Sequence, residues 1–306
     1  MKIAKTILVI AALVFTASGQ SGDTSFESDI TPVQKDLLAK LTGYHPIYSR
    51  FKEKVGNRTL TAIGTARLSE RESDARRKIA ANYLFKSLIE IGLSPKKHEY
   101  QTKLKGTNIY AIIPSTVKSN EFVVLGAHYD SVKGSPGAND NASGTALVYG
   151  VAIQLAKLKI RKRNFIIVFF DQEERGLVGS RAFAKKLKAE NMNLHSAHTV
   201  DQMGWDEDGD GAIELELPTP ELEALYREEA RKLSIIVHKT RVPSTDHTAF
   251  REIGFNAIGV TEEYRNNDTT PHYHKSTDTY GTIDFGYLAS TTQLVFNVMK
   301  MLSEKD

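Results

Sequence analysis

Two runs of the chain are apolar at nearly every position and predict strands that are buried on both faces. They cover residues 122–125 and 165–170, and unbroken apolar runs of this length are typical of the central strands of a parallel sheet. Residues 108–113 predict a third strand. Further strands are predicted over residues 199–203, 235–238 and 257–260.

Segments with helical periodicity separate these strands. Ser69 followed by Glu72 is a capping-box start for a helix of about 20 residues, which Gly92 ends. Further helices are predicted over residues 143–158, 177–187, 220–233 and 285–302. Alternating strands and helices predict an α/β fold with three α/β/α layers, in which a largely parallel mixed central sheet carries helices on both faces.

The composition narrows the possible classes of function. With 306 residues, 41% hydrophobic and 25% charged, the chain is an ordinary folded protein, which excludes disorder and fibrous repeats. A net charge of +3 gives no reason to expect a nucleic-acid partner. The absence of cysteine excludes disulfides, zinc fingers, iron–sulfur clusters and thiol nucleophiles, so any metal must be held by His, Asp and Glu.

The N-terminus has the layout of a secretory signal peptide over residues 1–19. A basic start, an apolar run over residues 7–15 and a small-residue exit favour cleavage near Gly19. The apolar run is much shorter than the roughly 20 residues of a membrane anchor, so we expect an exported protein, periplasmic or secreted, with no stable membrane anchor after cleavage. Residues 20–29 predict a flexible leader, and residues 30–306 a single domain.

The predicted carboxyl ends of the buried strands carry polar residues, which is where open α/β sheets place their chemistry. His128 and Asp130 follow the first buried strand. In an extended segment they project to the same side, so Asp130 can bind the ring nitrogen that His128 does not offer to a metal. In isolation, a satisfied polar pair at a strand end is the favoured interpretation of these two residues.

A loop of small and polar residues, 137–144, opens the next helix. Asp140 at this turn can offer one carboxylate oxygen to each of two metal ions, and the small residues permit close approach of the backbone. The alternative is a plain helix cap formed by Asn141 or Ser143.

Adjacent carboxylates, Glu173 and Glu174, follow the second buried strand. Because the side chains of adjacent loop residues point in different directions, one carboxylate can bind a metal while the other deprotonates a water. The alternative is that both belong to an acidic helix N-terminus. Asp201 lies within a later predicted strand, residues 199–203, and His272 and His274 lie in the region 264–280. Together, two histidines and three carboxylates at strand ends form a ligand set suited to two zinc ions.

The order of these motifs resembles metallopeptidase family 28, the co-catalytic dizinc aminopeptidases. His-x-Asp is followed by Gly-Ala-x-Asp-x-Ala-Ser-Gly, Glu-Glu-x-Gly-Leu-x-Gly-Ser, Asp-x-x-Gly and Tyr-His-x-x-x-Asp-Thr, and the likeness runs from about Ser69 to the C-terminus. The resemblance implies the zinc-dependent exopeptidase fold, two zinc ions and peptide substrates. The zinc ligands that it implies are His128 and Asp201 on one ion, Glu174 and His274 on the other, and Asp140 as the bridge.

The resemblance also implies roles for residues that do not bind metal. Glu173 is the general base, Asp130 orients His128, and Tyr273 matches the position of an oxyanion-stabilising tyrosine in some members. His274 is the implied ligand, in place of the nearby His272, because the family histidine stands four residues before the aspartate of the last motif. A cis peptide bond is implied after the bridging aspartate. The family often has a Ser-Asp-His segment where this chain has Thr245-Asp246-His247, and the resemblance implies a supporting role for His247 behind the ligands.

Several alternatives remain open. A glutaminyl cyclase shares this fold, and some relatives are non-catalytic binding modules that have lost ligands. Retention of His128 and Asp201 favours the peptidase over the cyclase, and the presence of all five ligands with Glu173 argues against the binding module. Dipeptidase or carboxypeptidase action, a cobalt or manganese centre in place of zinc, the residue preference and the oligomeric state stay open.

One acidic segment resembles the opening of a calcium loop. Asp206, Asp208 and Asp210 precede Gly211, but the closing position of such a loop is Leu217 and not glutamate. A solvated turn is therefore the favoured interpretation, and calcium binding is a minor hypothesis that fails if the melting temperature ignores added calcium.

Overall fold

A computed structural model describes residues 24–55, 58–265 and 268–304. The predicted signal peptide lies outside these residues. Among the helices described, none is both long enough and apolar enough to cross a bilayer. The helices are α1 (Thr24–Leu41), α2 (Asp74–Glu90), α3 (Gly144–Lys157), α4 (Val178–Ala189), α5 (Pro220–Leu233), α6 (His247–Arg251) and α7 (Phe285–Glu304).

Two sheets contain the described strands. The strands are β1 (Ile47–Val55), β2 (Arg58–Ala66), β3 (Lys96–Gln101), β4 (Lys105–Ile113), β5 (Phe122–His128), β6 (Asn164–Phe170), β7 (Leu194–Asp201), β8 (Ile213–Glu216), β9 (Val237–Thr240) and β10 (Ala257–Glu262). β1 and β2 pair as a separate antiparallel hairpin, and the others form one sheet in the order β3-β4-β6-β5-β7-β10-β8-β9. The four central strands β6, β5, β7 and β10 run parallel, while β4 and β8 join them antiparallel.

The central sheet is covered on both faces, which explains the unbroken apolar runs. In β5, Val123 and Leu125 pack into the larger apolar core, whereas Val124 between them packs into the smaller one on the opposite face. The larger core includes residues of α1, α2, α3, α5 and α7, and the smaller includes residues of α4 and α6. The predicted three-layer α/β/α architecture is confirmed.

The start of the described chain differs from the predicted flexible leader. Residues 24–29 begin helix α1, in which Ile30 is fully buried and the ring of Phe26 stacks on Phe296 with centroids 5.6 Å apart. These apolar contacts hold the segment against α7, where the polar composition of residues 20–29 had suggested loose chain.

The first predicted helix also begins later than expected. α2 starts at Asp74, after Ser73, and not at Ser69. The reason is the buried Arg71, whose backbone N–H donates to Ser131 Oγ and whose guanidinium donates to the carbonyl of Gly137. Residues 69–73 therefore bind the loop that precedes α3 instead of forming a helical turn.

Candidate metal centre

The strand register brings the predicted ligands to one edge of the sheet. His128 at the end of β5 pairs with Phe170 at the end of β6, so the turn containing Glu173 and Glu174 begins beside it. Asp201 at the end of β7 pairs with Thr261 of β10. Parallel strands that end at the same level therefore present their following residues to a common space.

The five predicted ligands converge in two groups that share Asp140. His128 Nε2 lies 3.3 Å from Asp140 Oδ1 and 3.5 Å from Asp201 Oδ1. His274 Nε2 lies 3.1 Å from Asp140 Oδ2 and 3.1 Å from Glu174 Oε2. Each oxygen of Asp140 thus faces a different histidine, which is the arrangement that a bridging carboxylate requires.

His272 stands apart from this cluster. Its Nδ1 lies 3.0 Å from Thr277 Oγ1, and its ring packs edge-on against Trp205. The structure therefore brings the histidine that the sequence motif selects, His274, to the ligand cluster and directs the partly exposed His272 to Thr277 and Trp205 instead.

Unsatisfied polar atoms at the centre fit a metal ion. His128 Nε2, Glu174 Oε1 and Asp201 Oδ1 are buried and have no hydrogen-bond partner among the residues that the structure describes. A buried polar atom without a partner is costly, and imidazole nitrogens with carboxylate oxygens are the donor set that binds Zn²⁺ and similar divalent ions. The residues present therefore fit a divalent metal.

Crowded carboxylates shift the pKa values at the centre. Burial raises the pKa of Glu174 to about 7, and the neighbouring charge of Asp140 adds to this effect. Burial also raises the pKa of Asp201, with His128 opposing the shift. Hydrogen bonds to Asp140 and Glu174 raise the pKa of His274 to about 10. The cluster concentrates negative charge, which a divalent cation offsets.

Asp130 connects His128 to the acidic turn. Its Oδ1 lies 3.3 Å from His128 Nδ1 and accepts a hydrogen bond from the backbone N–H of Glu173 at 3.0 Å. Its Oδ2 accepts from the backbone N–H of Glu174 at 3.3 Å. The predicted contact with His128 is present. The hydrogen bonds to the backbone of Glu173 and Glu174 are additional contacts that the sequence did not predict.

The loop of residues 137–144 is fixed from two sides. Asp278 accepts hydrogen bonds from the backbone N–H groups of Asn139 at 2.8 Å and Asp140 at 3.1 Å. Asn141 Oδ1 accepts a hydrogen bond from the backbone N–H of Gly144 and so caps the start of α3. The capping contact and the position of Asp140 among the ligands therefore occur together. The peptide bond between Asp140 and Asn141 is cis, as the resemblance predicts.

Glycine is required at the start of this loop. Gly137 has φ of 61°, and a Cβ there would lie 2.5 Å from the carbonyl oxygen of Asp140 and 2.8 Å from an Arg71 guanidinium nitrogen. The positive φ and the close backbone approach both exclude larger residues.

A cavity of about 270 Å³ opens against the ligand cluster. It is lined by Asp140, Glu173, Glu174, Asp201, Gln202, Glu216, Ser244, Thr245, Thr261, Tyr264, Thr269, Tyr273 and His274. Burial raises the pKa of Glu173 well above its usual range. The half-exposed ring of Tyr273 stacks on His274, with centroids 3.8 Å apart.

Two glutamates near the centre were missed from the sequence. Glu262 is fully buried and accepts hydrogen bonds from Asn139 Nδ2 at 2.7 Å and the backbone N–H of Trp205 at 3.0 Å. Glu216 lines the cavity. Glu262 follows an apolar strand, so the rule that located the ligands could have located it too. His247 Nδ1 lies 3.4 Å from Glu216 Oε2, so the predicted supporting histidine contacts this glutamate.

The Asp206, Asp208 and Asp210 carboxylates also gather, with one oxygen of each within 4.8 Å of the others. Their oxygens accept local backbone hydrogen bonds: Asp206 from Gly211, Asp208 from Asp210, and Asp210 from Ala212. These contacts agree with a turn whose carboxylates are exposed or partly exposed, and calcium binding stays a minor prediction.

Comparisons with known proteins place this geometry in context. A probable leucine aminopeptidase of Trichophyton verrucosum is 29% identical over 228 residues, covering 68% of this chain. That match covers 59% of the relative's length, so the chain spans about three fifths of it.

Solved structures share the fold. The zinc aminopeptidase BSAP of Bacillus subtilis superposes with a TM-score of 0.62 and 25% identity, covering 67% of this chain and 52% of BSAP. The glutaminyl cyclase of Porphyromonas gingivalis gives a TM-score of 0.71 at 16% identity, covering 89% of this chain and 98% of the cyclase, a likeness of fold alone.

The sequence pattern of peptidase family M28 matches residues 108–299, which is more than half of the chain. The matched segment contains His128, Asp140, Glu174, Asp201 and His274. The converging ligands and this match lead to the same conclusion, that the chain belongs to peptidase family M28.

Proposed function

We propose that this chain is a zinc-dependent aminopeptidase that removes N-terminal residues from peptides. The observation that carries the proposal is the division of the Asp140 oxygens between His128 and His274, with Glu173 on the wall of the same cavity. Family membership and the names of the relatives, a probable leucine aminopeptidase and a zinc aminopeptidase, support it.

The centre would hold two zinc ions. His128 and Asp201 would bind one, Glu174 and His274 the other, and Asp140 would bridge them, because the contacts divide in this way. When bound, zinc polarises a carbonyl and lowers the pKa of an attacking water.

Glu173 would act as the general base and acid. Burial raises its pKa, which makes it a stronger base than an ordinary carboxylate, and it would pass the proton to the leaving amine. Asp130 fixes the backbone of this residue through the N–H of Glu173, which keeps the carboxylate at the cavity. Tyr273, beside His274, would donate a hydrogen bond to the developing oxyanion.

The cyclase alternative is less well supported. Both His128 and Asp201 are retained, and they lie within 3.5 Å of each other at the centre. The cyclase likeness extends to the fold alone. A non-catalytic binding module has no need of the unsatisfied buried ligand atoms described above.

The test compares leucine p-nitroanilide with its N-acetyl derivative. We expect hydrolysis of the free-amine substrate alone, loss of activity with a chelator, and recovery with added zinc. Cleavage of the acetylated substrate, or turnover that survives metal removal, would contradict the proposal. A glutaminyl cyclase can be distinguished from a peptidase because it converts peptides with N-terminal glutamine without consuming water.

We also propose export of the chain, which rests on the basic, apolar and small-residue regions within residues 1–19. N-terminal sequencing of the protein recovered from its native cells should give a chain that begins near residue 20. A protein that keeps Met1 and fractionates with cytosolic markers would contradict export.

A further inference from the structure

Glu216 is a buried carboxylate on the wall of the candidate active-site cavity. It is the last residue of β8, is 1% exposed and is not among the predicted metal ligands. Its partner across the ladder is Gly259 of β10, where an added Cβ would lie 2.3 Å from Glu216 Oε2. The missing side chain at Gly259 therefore creates the space that the carboxylate occupies.

The register places Glu216 below the metal ligands. Thr261, which pairs with Asp201, lies two residues beyond Gly259 along β10. Two residues of strand span about 7 Å, so the backbone of Glu216 is offset from the ligand edge by roughly that distance. A substrate whose scissile bond lies at the ligands would direct a long side chain toward this level of the cavity.

The rest of the wall combines hydroxyl groups with the methyl groups and rings that carry them. Ser244, Thr245, Thr261, Tyr264 and Thr269 carry hydroxyl groups, and the lining residues that the structure describes include no aliphatic side chain. They also include no lysine or arginine. The threonine methyl groups and tyrosine rings can pack against the methylene stem of a long side chain, whereas a cation at its end would meet the Glu216 carboxyl, which has no lysine or arginine partner among these lining residues.

The Glu216 carboxylate is held in a fixed orientation. Its Oε2 accepts from Thr245 Oγ1 at 2.6 Å, and its Oε1 accepts from the Tyr264 hydroxyl at 3.1 Å. A carboxylate has about four acceptor positions, so further donors can bind. Burial lowers the pKa of the adjacent His247 to about 4, so this ring is neutral and supplies no countercharge. Burial also raises the pKa of Glu216 to about 8, and a cation placed beside the carboxyl would lower that pKa again, so the proton leaves as the cation binds.

Resting on the proposed aminopeptidase activity, we infer that Glu216 selects peptides whose N-terminal residue has a positively charged side chain, lysine or arginine. The extended side chain of lysine carries its ammonium about 6 Å from Cα, and β8 stands two strands from β7 in the sheet, so the lysine and Glu216 side chains would meet by each reaching into the cavity. The relative described above is named a probable leucine aminopeptidase, so the inferred preference for lysine or arginine would distinguish this chain from it.

Paired substrates test the inference on the unmodified protein. Lysine and norleucine p-nitroanilides share the same methylene chain and differ in the terminal ammonium. We expect kcat/KM for lysine to exceed that for norleucine by at least about tenfold, the scale of a charge-assisted hydrogen bond. Equal values, or a preference for norleucine or leucine, would overturn the inference while leaving the aminopeptidase proposal intact.

Two variants locate the source of the preference. Glu216→Gln should bring the lysine-to-norleucine ratio close to one. The matched control is Glu214→Gln, a buried glutamate on the same strand that accepts from the backbone N–H of Arg265 and does not line the cavity. The control should keep the ratio within about twofold. An equal fall for both substrates in Glu216→Gln would indicate recognition of the α-amine and would contradict the inference.

Binding separates selectivity from catalysis. Calorimetry of the zinc-loaded protein should show tighter binding of lysinamide than of norleucinamide by a similar factor. If neither nitroanilide is hydrolysed while lysinamide binds more tightly, the selectivity stands and the proposed activity fails. Equal binding of both amides overturns the selectivity regardless of turnover.

Discussion

At the scale of single residues, Glu173 and Glu174 form a natural matched pair. They are adjacent, and both line the cavity, but the Glu174 carboxylate contacts His274 whereas the account makes Glu173 a base. We expect Glu173→Gln to keep bound zinc and lose at least about a hundredfold in kcat. Glu174→Gln should instead lose zinc. Metal analysis with steady-state kinetics checks both, and an active Glu173→Gln variant would refute the assigned role.

Asp130 yields a second prediction at this scale. Asp130→Asn replaces one carboxylate oxygen, which now accepts a hydrogen bond from the backbone of Glu173 or Glu174, with an amide N–H₂ group. The residue then no longer holds both His128 and this turn. Supporting residues of this kind typically change metal affinity by about 10 to 100-fold. Chelator competition should show weaker zinc binding in that range, and an affinity equal to wild type would show that Asp130 is dispensable for positioning.

The sequence located residues that follow long apolar strands. His128 and Glu174 could be predicted because open α/β sheets use the carboxyl ends of such strands, whereas Asp201, in a short predicted strand, was identified only together with the other motifs. Glu216 could not, because β8 has only four residues and its apolar pattern is too short to identify. The contacts between Asp140 and the two histidines depend on loop conformations, which periodicity does not determine.

At the scale of elements, the loop of residues 137–144 depends on a distant carboxylate. In Asp278→Asn, one backbone N–H of Asn139 or Asp140 would face an amide N–H₂ group and lose its acceptor. We expect zinc affinity to fall at least about tenfold and the melting temperature to decrease.

A carboxylate remote from the centre provides the control for this change. Asp284 Oδ1 accepts from the backbone N–H groups of Gly286 and Tyr287 at the start of α7, and Asp284 is exposed. Asp284→Asn should leave zinc affinity unchanged. A similar loss of zinc in both variants would mean that general destabilisation, and not the loop, controls binding.

Elements were predicted best where apolar periodicity was long. The bounds of α5 agree with the prediction, α3 and α4 differ by one or two residues at each end, and α7 begins as predicted and ends two residues later. The hairpin β1–β2 and the short α6 were missed. The late start of α2 was also missed, because it depends on tertiary contacts of Arg71 that local capping rules do not contain.

At the scale of the whole molecule, a buried histidine couples stability to pH. His198 is fully buried between Ser196 and Tyr226, and burial lowers its pKa to about 3. The unfolded chain takes up a proton near the ordinary pKa of 6.5, so this stabilisation is present above pH 6.5 and is lost as pH falls toward 3.

We therefore expect the free energy of unfolding to depend more steeply on pH in the wild-type protein than in His198→Gln. From pH 7 to pH 4, linkage gives a loss of ~3 kcal/mol from this one histidine, which the variant should not show. Urea unfolding at several pH values measures the difference. Parallel curves for the two proteins would contradict a neutral buried His198.

The apolar pattern of the central strands predicted the layers of the molecule but not the strand order. The strands β5 and β6 alternate between two cores, so their fully apolar sequences indicated helices on both faces. The order of the strands, with β4 and β8 antiparallel, was beyond this pattern because each apolar run fits either direction.

The central claim is a metal centre that performs hydrolysis, and a zinc titration of the metal-free protein tests it most directly. Bound zinc and release of nitroaniline from lysine p-nitroanilide are measured in the same samples. We expect saturation at two zinc ions per chain, with activity rising as the sites fill. A chain that binds no zinc, or binds two ions and hydrolyses no substrate with a free N-terminus, would contradict it.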